Sequence, residues 1–167
     1  MDVATRGLYL QSGAGTAELP MRIRNNQIVV TGSIHSDEGV QLNTVSHAQF
    51  YHNSILLTGS GGTVVHQAGV STGLALRNNL FASTGGAWVM RMQTPAGVST
   101  DYNGLYGTGA TLVRWSEVNY ATLDAFRAAV TGAEEHSTEA SPAFVSTADL
   151  TPQSSLFDDE GTPVGVA

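Results

Sequence analysis

One asparagine recurs through the first two thirds of the chain and brings its neighbours with it. The segments Met21–Gly32, Ala48–Gly59, Leu74–Gly85 and Val98–Gly109 align without gaps and place Asn26, Asn53, Asn79 and Asn103 in one column, at spacings of 27, 26 and 24. Two residues after each stand Ile28, Ile55, Phe81 and Leu105. Three residues before it stand Ile23, Phe50, Leu76 and Thr100, and five before it Met21, Ala48, Leu74 and Val98. Apolar residues alternating with period two describe short strands. Strands that recur at a fixed repeat describe a coil in which each turn buries against the next what it cannot bury alone. Hexapeptide repeats of about 18 residues per turn mark left-handed coils, so the longer, irregular period predicts the right-handed type. The expected fold is therefore all-β: a right-handed parallel β-helix of about four coils.

The column has its own chemical reason. A side-chain amide both donates and accepts, so identical amides stacked at about 4.8 Å per rung can bond along the axis where a turn interrupts the backbone ladder. Asparagine is also expected to take the left-handed backbone such a turn requires. A second set of strands should open each coil: Leu8–Leu10, Val40–Leu42, Val64–Gln67 and Trp88–Met92. Their outward members are expected to be Tyr9, Gln41 and Arg91, with either His66 or the pair Val65 and Gln67, since a one-residue slip exchanges the faces. Ser12–Pro20 lengthens the first coil's connection.

The repeat stops near Gly109, which divides the chain into coils over residues 1–114 and a C-terminal cap over 115–167. Asn119–Gly132 reads as a helix that closes the coil, with Thr122 as N-cap, Asp124 in the first turn, Leu123, Phe126 and Val130 on one face and Gly132 as the C′ stop. Phe144 and Leu150 should anchor the extended pieces that follow. Charge is split the same way. Residues 1–114 hold six Arg and five Asp or Glu, net +1; residues 115–167 hold one Arg and nine acids, net −8, giving the chain's −7. The seven basic residues are all arginine, a thin inventory for gripping nucleic acid, which is not expected as a partner. No apolar run approaches the roughly 18 residues of a membrane helix, so no membrane partner is expected. Without cysteine there is no disulfide or thiolate chemistry. Residues Met1–Arg6 lack the basic start and apolar core of an export signal, and the chain is expected to be an excerpt of a longer protein.

The asparagine columns, the run Asp101–Tyr106, the Tyr120–Arg127 helix, Thr131-Gly132, Glu135–Ser137, Ser141–Val145 and Asp149-Leu150 together resemble the right-handed parallel β-helix proteins of the pectate-lyase-like superfamily. The resemblance spans about residues 5–160 and implies a secreted protein that handles polysaccharide. It departs from the catalytic members in having only about four coils and no N-terminal capping helix.

Fold does not decide function here, because this architecture serves lyases, hydrolases, adhesins and spacers. A uronate lyase needs a cation to neutralise the sugar carboxylate and a base to take the adjacent proton. The outward face of the first strand set offers Arg91 and His66 as catalytic candidates and Tyr9 and Gln41 as binding residues. Arg24, Tyr51 and Arg77, two residues before their ladder asparagines, form a second outward column suited to an acidic chain or to a cation–π stack. Asp37-Glu38 beside His35 is the best acidic cluster. Two adjacent carboxylates on an exposed loop point apart and calcium takes six to eight oxygens, so no metal site is expected and calcium is a weak alternative. Glu134, Glu135, Glu139 and Asp158–Glu160 read as a solvated acidic surface.

Three functions follow. The first is a noncatalytic carbohydrate-binding or scaffold module that takes acidic or neutral polysaccharide. The second is a lyase or related enzyme acting on uronate polymers. The third is a structural subunit that self-associates through its N-terminal coil, whose first rung is an open edge.

Overall fold

The computed structural model describes residues 5–32, 36–158 and 161, and it is a parallel β-solenoid of about four turns. Each turn has three strands. The first holds β1 (Arg6–Gln11), β2 (Met21–Arg24) and β3 (Gln27–Val30); the second β4 (Glu38–Asn43), β5 (Ala48–Tyr51) and β6 (Ser54–Leu57). The third holds β7 (Thr63–Ala68), β8 (Leu74–Arg77) and β9 (Leu80–Ser83); the fourth β10 (Trp88–Met92), β11 (Val98–Asp101) and β12 (Gly104–Gly107). Corresponding strands pair in parallel to give three sheets. Sheet 1 runs β1-β4-β7-β10, sheet 2 β2-β5-β8-β11 and sheet 3 β3-β6-β9-β12. Among the described residues, no helix is long and apolar enough to cross a membrane.

The register of sheets 2 and 3 follows the repeat. Ile23 faces Phe50, which faces Leu76, which faces Thr100; Ile28 faces Ile55, which faces Phe81, which faces Leu105. Like side chains therefore stack along the axis, and Phe50, Leu76, Ile55, Phe81 and Leu105 are fully buried. Phe50 and Phe81 stack with centroids 6.4 Å apart. In the terminal coil Leu8, Leu10, Met21, Ile23 and Ile28 pack on this core but stay half-buried, because β1, β2 and β3 each have one neighbour.

The asparagines form the ladder. Asn53 Oδ1 accepts from the backbone N–H and the side-chain amide of Asn26, at 3.1 and 2.9 Å; Asn79 and Asn103 do the same for Asn53 and Asn79. The left-handed residue, however, stands one position earlier than expected: Asn25, His52, Asn78 and Tyr102 have φ of 55–59°. The ladder asparagine needs an ordinary backbone so that its own N–H and side chain can point down the axis together, and the sharp reversal falls on its predecessor.

The end of the ladder corrects the reading of Glu134 as a solvated acid. Glu134 is fully buried and accepts from Asn103 Nδ2 at 3.1 Å, from the Thr100 hydroxyl and from the Ser137 hydroxyl. Ser137 Oγ in turn accepts the Asn103 N–H at 2.8 Å, taking the role that the next asparagine's Oδ1 would play. The Arg127 side chain ties down this segment through the carbonyls of Glu134 and Ser137. Glu139 is exposed yet accepts the Leu123 N–H at 2.7 Å.

The cap has more strands than its sequence suggests. β13 (Val113–Trp115) adds in parallel to β10 and turns back as the antiparallel β14 (Val118–Tyr120), while β15 (Thr138–Glu139) extends sheet 3. The helix α1 is shorter than 119–132, spanning Leu123–Ala129 with Thr122 as its N-cap and Val130 as its C-cap. Gly132, at φ 83°, lies two residues past that cap and not at C′. Phe126 is buried against Trp115 and Tyr120, ring centroids 5.2 and 5.3 Å away, and closes the axis. Leu150, buried, and Phe144 lie over Leu56 and Ala82 on the outer face of sheet 3. His35, Asp159 and Glu160 lie outside the described residues.

Candidate functional site

Sheet 1 decides the open register in favour of His66. Tyr9 faces Gln41, Gln41 faces His66, His66 faces Arg91 and Arg91 faces Arg114, so one file of five side chains crosses the sheet. Val65 and Gln67 fall in the buried files, facing Val40 and Met90, and Leu42 and Met92. A second file beside the first carries Arg6, Glu38, Thr63 and Trp88. These residues are three positions from their partners in the first file, a spacing a regular strand would send to the opposite face. The N–H groups of Val89 and Met90 both donate to the Leu112 carbonyl at 3.1 Å, two residues opposing one, and this bulge returns Trp88 to the side of Arg91.

The two files interlock. Glu38 Oε1 accepts from His66 Nδ1 at 2.5 Å, and Glu38 Oε2 from Arg6 Nε at 3.0 Å. The Arg6 guanidinium lies 5.1 Å from the centre of the Tyr9 ring. At the other end, Trp88 holds two guanidiniums against its ring, Arg91 at 5.3 Å and Arg114 at 4.9 Å. Arg114 also pairs with Glu117. Four buried polar atoms of the first file have no hydrogen-bond partner among the described residues: Gln41 Oε1, His66 Nε2, Arg91 Nε and Arg114 Nε. Burying a polar atom without a partner costs roughly 1–3 kcal/mol, so four in one file form an unusual concentration. Beside Arg91 and Trp88 the surface dips into a cleft walled by Ser60, Gly61, Gly62 and Gly86.

The expected site residues divide between two faces. Tyr9, Gln41, His66 and Arg91 share sheet 1. Arg24, Tyr51 and Arg77 stand in register on sheet 2, continued by Asp101, and no cation–π contact joins them among the described residues. Asp101 itself binds His136. The acidic pair is not an exposed loop either. Asp37 is buried and accepts the Thr5 N–H at 2.7 Å, and Glu38 is buried with both oxygens engaged. Oxygens already committed in this way do not fit calcium.

Arg114, Trp88, Arg6 and Glu38 were not among the expected site residues. Arg114 follows Arg91 by 23 residues, close to the coil period, which is the signal that could have added it; Trp88 reaches the face only through the bulge, which no local pattern announces; and Glu38, read as a loop acid, begins β4 and bonds to His66. Compared with known proteins, the chain matches no family model, no curated protein and no solved structure.

Proposed function

We propose that this solenoid is a noncatalytic module of a secreted protein and that its sheet 1 face holds an acidic polysaccharide. The observation that carries this reading is the Trp88 ring with the Arg91 and Arg114 guanidiniums against it, on the same sheet face as Tyr9, which stands three rungs away in the neighbouring file. At about 4.8 Å per rung, two aromatic platforms separated by about 14 Å suit a sugar chain lying along the axis. Guanidinium pairs meet a carboxylate in bidentate fashion. Titration calorimetry with polygalacturonate and alginate oligomers tests the reading, with a neutral glucan as control. Acidic oligomers should bind and weaken with salt. Arg91→Ala should lower affinity by about tenfold to a hundredfold, the worth of one hydrogen bond to a charged group. Equal affinity for the neutral glucan, or an unchanged Arg91→Ala, would refute it.

One observation favours the enzyme alternative: Glu38 orients His66 through Nδ1, as an accessory carboxylate orients a general base, leaving Nε2 unpartnered. His66 Nε2 is nevertheless buried, with no path for a substrate proton, and so binding ranks above catalysis. Unsaturated sugar ends formed from a uronate polymer by the full chain, and lost in His66→Ala, would reverse that order.

A further inference from the structure

Away from sheet 1, the ladder turns build a second cleft. His52, Asn78 and Tyr102 are the left-handed residues of successive coils, so their side chains form a row along the axis on the outside of the turn between sheets 2 and 3. His136 continues the row: its ring stacks on Tyr102 with centroids 4.6 Å apart and planes 6° from parallel. Phe157 and Pro152, from the C-terminal segment, wall the far side. Gly104 allows this, since a Cβ there would lie 2.6 Å from the Phe157 ring.

The chemistry of the cleft is uniform. Both Asp101 oxygens are engaged within the wall: Oδ2 accepts from His136 Nδ1 at 2.8 Å and Oδ1 from the His136 N–H at 2.7 Å. That pair fixes the imidazole and turns Nε2 outward. No arginine lines the cleft. What remains is a set of hydrogen-bonding groups, the Tyr102 hydroxyl, His136 Nε2 and the Thr138 hydroxyl, beside a His52 ring whose Nε2 lies 3.5 Å from Asn78 Nδ2, with an apolar wall of Leu80, Pro152 and Phe157. The backbone sharpens the point. Left-handed φ is common for Asn and tolerated by His but costly for a ring as large as tyrosine, and such strain gathers where a side chain is used.

We infer that this cleft binds a neutral sugar ring, its apolar face on Phe157 and Pro152 and its hydroxyls on Tyr102 and His136. The inference is independent of the sheet 1 reading, because the two sites share no residue and one is lined by guanidiniums while the other has none. The test titrates the full chain with glucose, galactose, xylose and cellobiose while following the side-chain NMR signals of His52, Tyr102 and His136. At least one sugar should give saturable shifts at these three residues and leave the Trp88 indole unmoved. Tyr102→Phe keeps the ring stack and removes one hydroxyl, and should weaken that binding by about threefold to tenfold. Phe157→Ala should weaken it as well, with a thermal melt of each variant reporting that the coil is intact. No saturable shift from any of the four sugars, or an unchanged affinity in folded Tyr102→Phe, would overturn the inference. A polygalacturonate oligomer that binds sheet 1 equally in wild type and Tyr102→Phe separates the two sites.

Discussion

The two ends of the ladder carry the same residue in unequal circumstances. At the C-terminal end Asn103 is buried, and its side-chain amide and N–H are taken by Glu134, Thr100, Ser137 and the Leu76 carbonyl. At the N-terminal end Asn26 is exposed, and among the described residues, apart from a bond to Arg24 in its own coil, it bonds only toward the second coil. In a solenoid each rung's stability is the sum of its own term and one interface with each neighbour. The difference teaches that the repeat supplies the ladder but not its ending. A carboxyl, a hydroxyl and an arginine had to be recruited from outside the repeat to stop it.

The largest test of this contrast is apolar. Phe126→Ala, which opens the closed end, should cost about 3–5 kcal/mol in denaturant unfolding, whereas Ile23→Ala in the half-buried first coil should cost less than half as much. Equal losses would show that the cap is not what seals the axis. Next come the amides. Asn53→Ala removes bonds to the Ile23 and Tyr51 carbonyls and to both neighbouring asparagines, and should cost about 1–3 kcal/mol or more in thermal melts. Asn26→Ala, exposed, should lose under about 1 kcal/mol; if it matched Asn53→Ala, the ladder would be uniform after all.

Two acids near the closed end should respond to pH with opposite signs. Burial pushes the Glu134 carboxyl above the usual carboxylate range, against the opposing hydrogen bonds of Ser137, Thr100 and Asn103. A raised folded pKa means that the fold prefers the neutral form. The stability Glu134 contributes is complete in acid and declines as pH rises through the folded pKa. Melting temperature followed from acid to neutral pH should therefore fall more in wild type than in Glu134→Gln. Asp101 is the smallest effect. Burial would raise its carboxyl, but the hydrogen bonds from the His136 side chain and backbone and from the Tyr102 N–H outweigh it and hold the group below its ordinary range. Its contribution, present at neutral pH, is lost as pH falls through the folded pKa. Asp101→Asn should cost no more than about 1 kcal/mol near neutral pH and nothing in strong acid, as measured by the same melts.

The coils, the ladder and the alternation of sheets 2 and 3 were legible in the sequence, because an interior wound on a fixed period forces like residues into like positions. Thr122, Phe126, Phe144 and Leu150 were legible too, since caps and large apolar residues declare themselves locally. Two things were not. Glu134 reads as one of two adjacent surface acids until Thr100 and Asn103, more than thirty residues earlier, are brought against it beside Ser137 of its own segment. Trp88 belongs to the sheet 1 face only because a bulge shifts the phase of its strand, and that phase is set by hydrogen bonds to Leu112, 22 and 23 residues away. The amino-acid sequence by itself determined the period, and with it the parallel stack. Tertiary structure alone decided which polar groups meet, because such meetings depend on register and on the angle between sheets, which a one-dimensional repeat does not encode.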